Sequence, residues 1–242
     1  MTNEVQPSPR PRVLVIIPAF NEQDSVVDVA KGVMANGYDY IVVNDGSSDS
    51  TLELCRANGI QVLNLSHNLG IGGAVQAGHL FAREFNYDID IQFDGDGQHD
   101  ASCLPSLVRQ IQDGADLAIG SRYLGDSDGF KSTFLRRLGQ IWLSGCLRLF
   151  CGVHITDPTS GLRACGRRMI NLYAEDYPID YPEPESIAVA VRQGCTVREV
   201  PVTMHERQGG VSSIDAVASI YYMVKVTLAI VIAAFSRGER RV

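Results

Sequence analysis

Two carboxylates stand two residues apart at Asp94 and Asp96, directly after the apolar run 89–93. Carboxylate oxygens are ligands that Mg²⁺ and Mn²⁺ prefer, and such an ion is usually held by one or two carboxylates together with phosphate oxygens. The spacing therefore predicts a divalent-cation site just past a buried strand, which a nucleoside diphosphate would complete. For an isolated Asp-x-Asp pair, an acidic turn is the alternative.

The polar loop that follows this pair is not a calcium-binding EF-hand. Counted from Asp94, the sixth position of such a loop should be Gly and is His99, and the twelfth should be Glu and is Pro105. Gln98 remains as a third oxygen ligand for one ion. We interpret His99 as a structural residue behind the ligands.

Strand and helix patterns alternate along the first half of the chain. A continuous apolar run predicts a strand at 13–17, and similar runs rich in apolar residues predict strands at 41–43, 62–65, 89–93 and 117–119. Helix patterns lie between them, at 25–34, 50–57, 72–85 and 104–112. This alternation predicts an α/β fold, a mostly parallel sheet with helices on both faces. Ligands of such sheets bind beyond the carboxyl ends of the strands, so the loops there should converge on one site.

The loops after the first three strands are polar but carry no dinucleotide fingerprint. A Gly-x-Gly-x-x-Gly after the first strand would indicate an NAD or FAD site, but residues 18–22 read Pro-Ala-Phe-Asn-Glu. Asp45, after the second strand, can accept hydrogen bonds from a base or a ribose, and an ordinary Asx turn is the alternative. Gly72 lies at a helix start, where glycine lets a phosphate approach backbone N–H groups or simply allows close packing.

Charge and cysteine usage exclude several classes of function. The formal net charge of −7 and the pI of about 5.2 argue against nucleic acid as a partner. The six cysteines form no Cys-x-x-Cys pair, which indicates reduced thiols in a cytosolic protein and argues against a zinc site. Residues 1–12 are polar and lack the apolar core of a secretory signal, so we expect a disordered lead-in. After this lead-in we expect one domain at 13–213 and a C-terminal segment at 214–242.

Taken together, the loops resemble those of the family 2 glycosyltransferases with the GT-A fold. The matching segments, in family order, are 17–22, 43–49, 68–70, 94–98, 120–123, 157–163 and 199–202. The resemblance is closest to the branch around dolichyl- and polyprenyl-phosphate mannose or glucose synthases. It implies a Rossmann-like GT-A domain that uses a nucleoside diphosphate sugar with Mg²⁺ or Mn²⁺.

The resemblance also implies roles for individual positions. Residues that would hold the nucleoside diphosphate are Pro18, Ala19, Phe20, Glu22, Asp45, Gly72, Asp94 and Gly95. Asp94 would bridge the ribose and the metal, which Asp96 and Gln98 would also ligate. Catalytic and acceptor-side residues would be Asp96, Arg122, Arg163, Glu183, Glu185 and Arg207, with Ser160 and Gly161 shaping the acceptor side.

The two possible acceptors need different side chains. A phosphate is already anionic and needs cations to hold it. The candidates are Arg207 and the basic residues 131, 136, 137 and 163. The alternative is that these are solvated surface charges. A hydroxyl needs a general base, for which Glu183 or Glu185 is the candidate. Prolines beside them predict an extended stretch before a helix at 187–191, and an acidic helix N-terminus is the alternative. Departures from the family pattern are Ser213 in place of Lys, Leu162 in place of Phe, and Asn44 in place of a first Asp.

The C-terminal segment contains a 20-residue apolar stretch, 216–235, with Lys225 near its middle and three arginines after it. A single membrane-spanning helix, an interfacial helix on headgroups, and a helix packed on the core or in a homodimer are all compatible with this pattern. The amphipathic segment 138–153 contains Trp142 and is a second candidate for surface binding, with core packing as the alternative.

The sequence therefore predicts an inverting hexosyltransferase that uses a UDP- or GDP-sugar and a polyprenyl phosphate. It would act at the cytosolic, inner face of a membrane and associate with it peripherally. One alternative keeps the donor and uses a saccharide hydroxyl in cell-wall, capsule or lipopolysaccharide assembly. Another, of a different class, is a non-catalytic module that binds nucleotide sugars.

Overall fold

The computed structural model describes residues 10–124, 134–180, 182–204 and 216–235. Strands and helices alternate through its first part, as the apolar runs predict. The strands are β1 Val13–Ala19, β2 Asp39–Asn44, β3 Val62–Asn64, β4 Ile89–Gln92, β5 Leu117–Ser121, β6 Arg163–Gly166 and β7 Val197–Pro201. The helices are α1 Val26–Ala35, α2 Thr51–Ala57, α3 Gly70–Glu84, α4 Leu104–Gln112, α5 Phe134–Cys151, α6 Arg167–Glu175, α7 Pro182–Arg192 and α8 Ala216–Phe235.

The strands form one mixed sheet in the order β3-β2-β1-β4-β6-β5-β7. Neighbouring strands are parallel except at β6, which runs antiparallel to both β4 and β5. Ala164 of β6 pairs with Ile91 on one side and with Ala118 on the other. The carboxyl ends of β1, β2, β4 and β5 therefore lie at one edge of the sheet, where the amino end of β6 joins them.

Two apolar cores lie on opposite faces of this sheet, because successive side chains of a strand alternate between its faces. Leu14 and Ile16 of β1 face a core built with α3, α6 and α7, on which α5 and α8 pack from outside. Val15 and Ile17 face the second core, built with α1 and α4. The predicted α/β architecture with helices on both faces is confirmed.

The second half of the fold departs from the sequence-based prediction in two places. The apolar pattern does not reveal β6, α6 or β7. Arg163–Gly166, for example, is only four residues long and begins with a charged side chain. The prediction of an extended stretch before residue 187 is wrong, because α7 begins at Pro182. Proline fits the first turn of a helix, where its fixed φ is suitable and its missing N–H would have no intrahelical partner.

None of the described helices combines the length and hydropathy that a bilayer crossing requires. The apolar stretch 216–235 does form one helix, α8, and this helix has an inner side that packs on the protein. Val226, Ile230 and Ala233 are buried there. Arg192 of α7 donates to the carbonyl of Ala233 at 3.1 Å, which fixes the end of α8 to the domain.

Candidate active site

An open cavity of about 530 Å³ lies at the carboxyl edge of the sheet. The loops after β1, β2 and β4 line it, together with the first turns of α3 and α7. Residues of the predicted site that line it are Pro18, Ala19, Phe20, Glu22, Asp45, Asp94, Gly95, Asp96 and Glu183. Asn68, Gly70, Ile71 and Ala74 complete the lining. The fold therefore brings predicted site residues from four separate segments of the chain to one cavity.

Asp94 and Asp96 present their carboxylates to this cavity from the turn after β4. Asp96 is held by the turn itself, because its Oδ1 accepts a hydrogen bond from the backbone N–H of Gln98 at 3.0 Å. Asp94 is contacted by the backbone of Gly161, where a Cβ would come within 2.5 Å of Asp94 Oδ2. Gln98 is not among the residues that line the cavity, so the predicted third oxygen ligand stays a prediction.

His99 lies behind this pair of carboxylates. It is buried, its Nε2 lies 3.9 Å from Asp94 Oδ2, and its ring packs at 5.9 Å from the ring of Phe93. Burial lowers the pKa of His99 and outweighs the opposing charges of Asp94 and Asp96. The neutral imidazole therefore supports the turn from behind.

Asp45 fixes one end of the cavity. It is 3% exposed, and its Oδ1 accepts a hydrogen bond from the backbone N–H of Leu69 at 2.7 Å, while its own N–H donates to the Ala19 carbonyl at 2.9 Å. The residue after it, Gly46, has φ +67°, and a Cβ there would lie 2.9 Å from Asn68 N. Asp45 thus ties the end of β2 to the end of β1 and to the start of α3.

The loop after β1 is joined to the loop after β4 through Ser25. The Ser25 hydroxyl lies 2.7 Å from the Gly95 carbonyl and 3.1 Å from Glu22 Oε2. Gly95 itself passes close to the β1 strand, since a Cβ there would lie 3.0 Å from the Pro18 carbonyl. Sequence reasoning did not identify Ser25, whose type gives no signal beyond a helix start.

Gly72 has a different environment from the predicted one. It is buried, and a Cβ there would clash with the carbonyls of Pro178 and Ile179 rather than project into the cavity. Close packing of α3 on this segment is therefore sufficient to account for the glycine. Gly70, two residues earlier and with φ +78°, is the glycine of α3 that lines the cavity.

Arg122 is held by a buried carboxylate rather than projecting into the cavity. Its Nε and Nη2 donate to Asp157 at 2.6 and 2.7 Å, and Nη2 also reaches Thr159 Oγ1 at 3.1 Å. Burial opposes the charged form, but the hydrogen bonds and charge of Asp157 prevail and raise the pKa of Arg122. Glu199 of β7 accepts a hydrogen bond from the backbone N–H of Asp157 at 3.0 Å and so fixes the backbone that carries this carboxylate.

Arg163 is also directed inward. It is 2% exposed, and its guanidinium donates to the carbonyls of Ser160 and Pro158 at 2.7 and 3.0 Å and to Ser186 Oγ at 2.8 Å. These bonds fold the segment 157–163 onto the first turn of α7. The arrangement favours a positioning role over direct contact with a substrate.

The structure separates the two predicted acidic residues of α7. Glu183 lines the same cavity as Asp94 and Asp96, whereas Glu185 lines a second pocket of about 350 Å³ between α8 and the segment 176–180. Burial raises the pKa of Glu183, Arg163 opposes this effect, and the charge of Asp94 adds to it. Only Glu183 of the two is therefore in a position to face a bound donor.

One predicted site residue, Arg207, lies outside the described residues.

A separate polar cluster lies in the core under β4, away from the cavity. His79 Nδ1 lies 2.7 Å from Asp90 Oδ2, both residues are buried, and Cys165 is close enough for the three to hold a metal ion. Burial and the nearby Asp90 raise the pKa of the Cys165 thiol well above its ordinary value, which keeps it protonated.

The family model named Glycosyl transferase family 2 matches residues 14–169, more than half of the chain. Polyprenol monophosphomannose synthase of Mycolicibacterium smegmatis is 32% identical over 86% of this chain and 82% of its own length. Undecaprenyl-phosphate mannosyltransferase of Micrococcus luteus is 32% identical over 84% of this chain and 88% of its own length. This chain belongs to glycosyl transferase family 2, and it is a glycosyltransferase.

The fold agrees with this family. A crystal structure of glucosyl-3-phosphoglycerate synthase from Mycobacterium tuberculosis superimposes with a TM-score of 0.71, at 18% identity, over 96% of this chain and 82% of the other. The mixed sheet with β6 antiparallel between parallel neighbours is thus a GT-A-like fold, as the resemblance implies.

Proposed function

We propose that this glycosyltransferase moves a hexose, with inversion, from a UDP- or GDP-sugar to a polyprenyl phosphate at the cytosolic face of a membrane. The observation that carries the proposal is the cavity that Asp94 and Asp96 line together with Asp45 at the carboxyl edge of the sheet. The names of the relatives, which act on polyprenol and undecaprenyl phosphate, support this class of acceptor.

The donor would lie along the cavity from Asp45 to Asp96. Asp45 is rigidly held by Leu69 and Ala19, so its carboxylate is pre-positioned for a base or ribose. Phe20, 48% exposed at the rim, offers a ring face to the nucleoside. Gly70 and Ile71 begin α3, whose N–H groups suit a phosphate.

The residues present fit a divalent cation. Asp94 and Asp96 supply two hard carboxylate ligands in one polar cavity, the donor set that Mg²⁺ or Mn²⁺ takes beside a diphosphate. When bound, the ion would stabilise the negative charge of the departing diphosphate. Gly161 packs directly against Asp94, and His99 Nε2 lies 3.9 Å from its carboxylate, so the chain itself limits the positions that this ligand can take.

In the proposed reaction a phosphate oxygen of the acceptor attacks the anomeric carbon. The bond from that carbon to the diphosphate oxygen breaks, and the nucleoside diphosphate leaves with the electron pair. No general base is needed, because the acceptor is already an anion. Arg122 and Arg163 position the segment 157–163 beside Asp94, and Arg207 is the candidate cation for the acceptor phosphate.

Peripheral membrane binding would use the outer faces of α5 and α8, which together we call the apolar surface. Its residues are Leu138, Ile141, Trp142, Leu149, Tyr221, Val224, Leu228, Ile232 and Phe235, all more than half exposed. The exposed Arg137 and Arg148 of α5 flank it, which suits an anionic headgroup layer. A homodimer through the same faces is the competing arrangement.

A saccharide hydroxyl as acceptor is the second candidate, and Glu183 favours it. A raised pKa makes a carboxylate a better proton acceptor near neutral pH, and Glu183 faces the cavity that would hold the anomeric carbon. The GT-A-like fold is shared with an enzyme whose name gives a phosphoglycerate acceptor. A non-catalytic nucleotide-sugar-binding module is the remaining alternative, and membership of a transferase family disfavours it.

A transfer assay with purified protein tests the proposal. Labelled UDP- and GDP-sugars are offered with Mn²⁺ or Mg²⁺ and a polyprenyl phosphate in detergent. We expect label in the organic phase with one donor, and none after EDTA. Label that moves only to a soluble saccharide would instead support the second candidate, and metal-dependent binding without any transfer would support the binding module.

A further inference from the structure

Gln140 connects α5 to the wall of the active site. Although α5 is an outer helix, Gln140 is only 4% exposed, and its Nε2 donates to Asp157 Oδ1 at 3.2 Å and to Thr159 Oγ1 at 3.1 Å. Its Oε1 has no hydrogen-bond partner among the described residues. Burying an amide with an unpaired oxygen destabilises a fold, so packing alone would favour an apolar side chain at this position.

The segment that Gln140 holds continues to the carboxylates of the cavity. Asp157 and Thr159 begin the stretch whose Gly161 lies against Asp94. Arg163 bonds two carbonyls of the same stretch and so cross-links it. A continuous set of hydrogen bonds and packed atoms therefore runs from α5 to Asp94, and such contiguous networks are able to carry energetic coupling.

The opposite face of α5 is part of the apolar surface. Ile141 is 62% exposed and Trp142 is 55% exposed, immediately after Gln140 in the chain. Trp142 Nε1 donates to Thr227 Oγ1 at 2.9 Å, so α5 and α8 present this surface together. One helix thus carries a face suited to lipid and, directly behind it, the amide that holds the segment next to Asp94.

We propose that Gln140 is a positioning residue that makes turnover depend on whether the outer face of α5 is covered by a lipid surface. Covering that face favours one placement of α5, and Gln140 transmits this placement through Asp157 and Thr159 to the acceptor-side segment 157–163. The inference rests on the proposed function. It assigns to Gln140 an effect on turnover and none on the affinity for the nucleotide sugar.

The experiment separates activation from mere concentration of substrates on a surface. The acceptor is a five-carbon prenyl phosphate, which stays in water, and vesicles of anionic phospholipid are added without any acceptor. We expect these vesicles to raise the kcat of the wild-type protein several-fold at saturating acceptor, with the KM for the donor unchanged. In Gln140→Met, kcat should be low and no longer respond to vesicles, while donor affinity stays within twofold.

Two further variants keep the test decisive. Ile141→Gln removes an apolar contact from the exposed face without touching the buried network, so it should reduce the vesicle effect in the wild-type background and add nothing to Gln140→Met. Gln140→Asn retains the amide but shortens its reach, and it should resemble Gln140→Met even if the latter folds poorly. An equal vesicle effect in wild type and Gln140→Asn would overturn the inference. Absence of any transfer by the wild type to a polyprenyl phosphate in detergent would instead reject the proposed function.

Discussion

Gly161 and Asp94 are in contact across the active site, with no room for a side chain between them. A Cβ on Gly161 would lie 2.5 Å from Asp94 Oδ2 and 2.8 Å from Oδ1, well inside van der Waals distance. Asp94 is followed by the turn after β4, and Gly161 belongs to the segment that Arg163 holds. The carboxylate is thus placed by two chain segments that are far apart in sequence.

Replacing Gly161 with Ala should therefore displace Asp94 and weaken metal-dependent nucleotide binding. We expect at least a tenfold loss of affinity for the nucleoside diphosphate in the presence of Mn²⁺, measured by calorimetry, with a melting temperature close to that of the wild type. Gly32→Ala in α1 is the matched control, because a Cβ there meets nothing within 4 Å. Unchanged affinity in Gly161→Ala would show that Asp94 does not hold the metal.

Glu183 and Glu185 should respond differently to the same substitution, because only Glu183 lines the donor cavity. Glu183→Gln should reduce kcat, and Glu185→Gln should leave it within twofold of the wild-type value. With a phosphate acceptor we expect a moderate loss for Glu183→Gln, since no base is required. Complete loss of turnover with retained donor binding would favour a hydroxyl acceptor and Glu183 as its base.

The pKa of Glu183 also predicts how stability depends on pH. Its pKa is raised in the folded state, so its contribution to the free energy of unfolding is fully present below the pKa of an unfolded glutamate, about 4.3, and is lost as the pH rises through the folded value. Glu183→Gln should gain stability relative to the wild type as the pH rises above about 4.3. Denaturant midpoints at several pH values measure this gain, and a gain that does not change with pH would contradict the assignment.

Arg163 should contribute to stability through its internal hydrogen bonds. Arg163→Met leaves the acceptors at Pro158, Ser160 and Ser186 without their charged donor, for which we expect a loss of about 3 kcal/mol. Arg109→Met, on the exposed side of α4, is the control and should change the free energy of unfolding by less than about 0.5 kcal/mol. If both variants unfold at the same urea concentration, the prediction that Arg163 stabilises the fold through its internal hydrogen bonds is wrong.

The first half of the fold follows from its sequence because each strand is a short run rich in apolar residues that ends at a polar loop. β6 does not follow, since four residues beginning with Arg163 carry no strand pattern, and their pairing with β4 and β5 is decided by tertiary structure. Tertiary structure also decides the conformation at Pro182, which predicts an extended stretch and instead starts α7.

For the site, residue types predict which loops take part but not where each side chain points. Asp45, Asp94 and Asp96 lie in short turns fixed to strand ends, so their convergence could be expected. Arg122 is directed to Asp157, and this orientation depends on a carboxylate 35 residues away that no local pattern reveals. Gln140 is hidden for a similar reason, because a single polar residue in an amphipathic helix gives no indication of its partners.

The most direct test of the central claim compares the wild type with Asp96→Ala in vesicles that contain polyprenyl phosphate, over a titration of Mn²⁺ with a labelled nucleotide sugar. Asp113→Ala, exposed beyond the last turn of α4, removes the same charge elsewhere. We predict metal-dependent transfer to the lipid by the wild type and by Asp113→Ala, and none by Asp96→Ala at any Mn²⁺ concentration. Transfer by Asp96→Ala at the wild-type rate would contradict the assignment of the metal site, and with it the proposed mechanism.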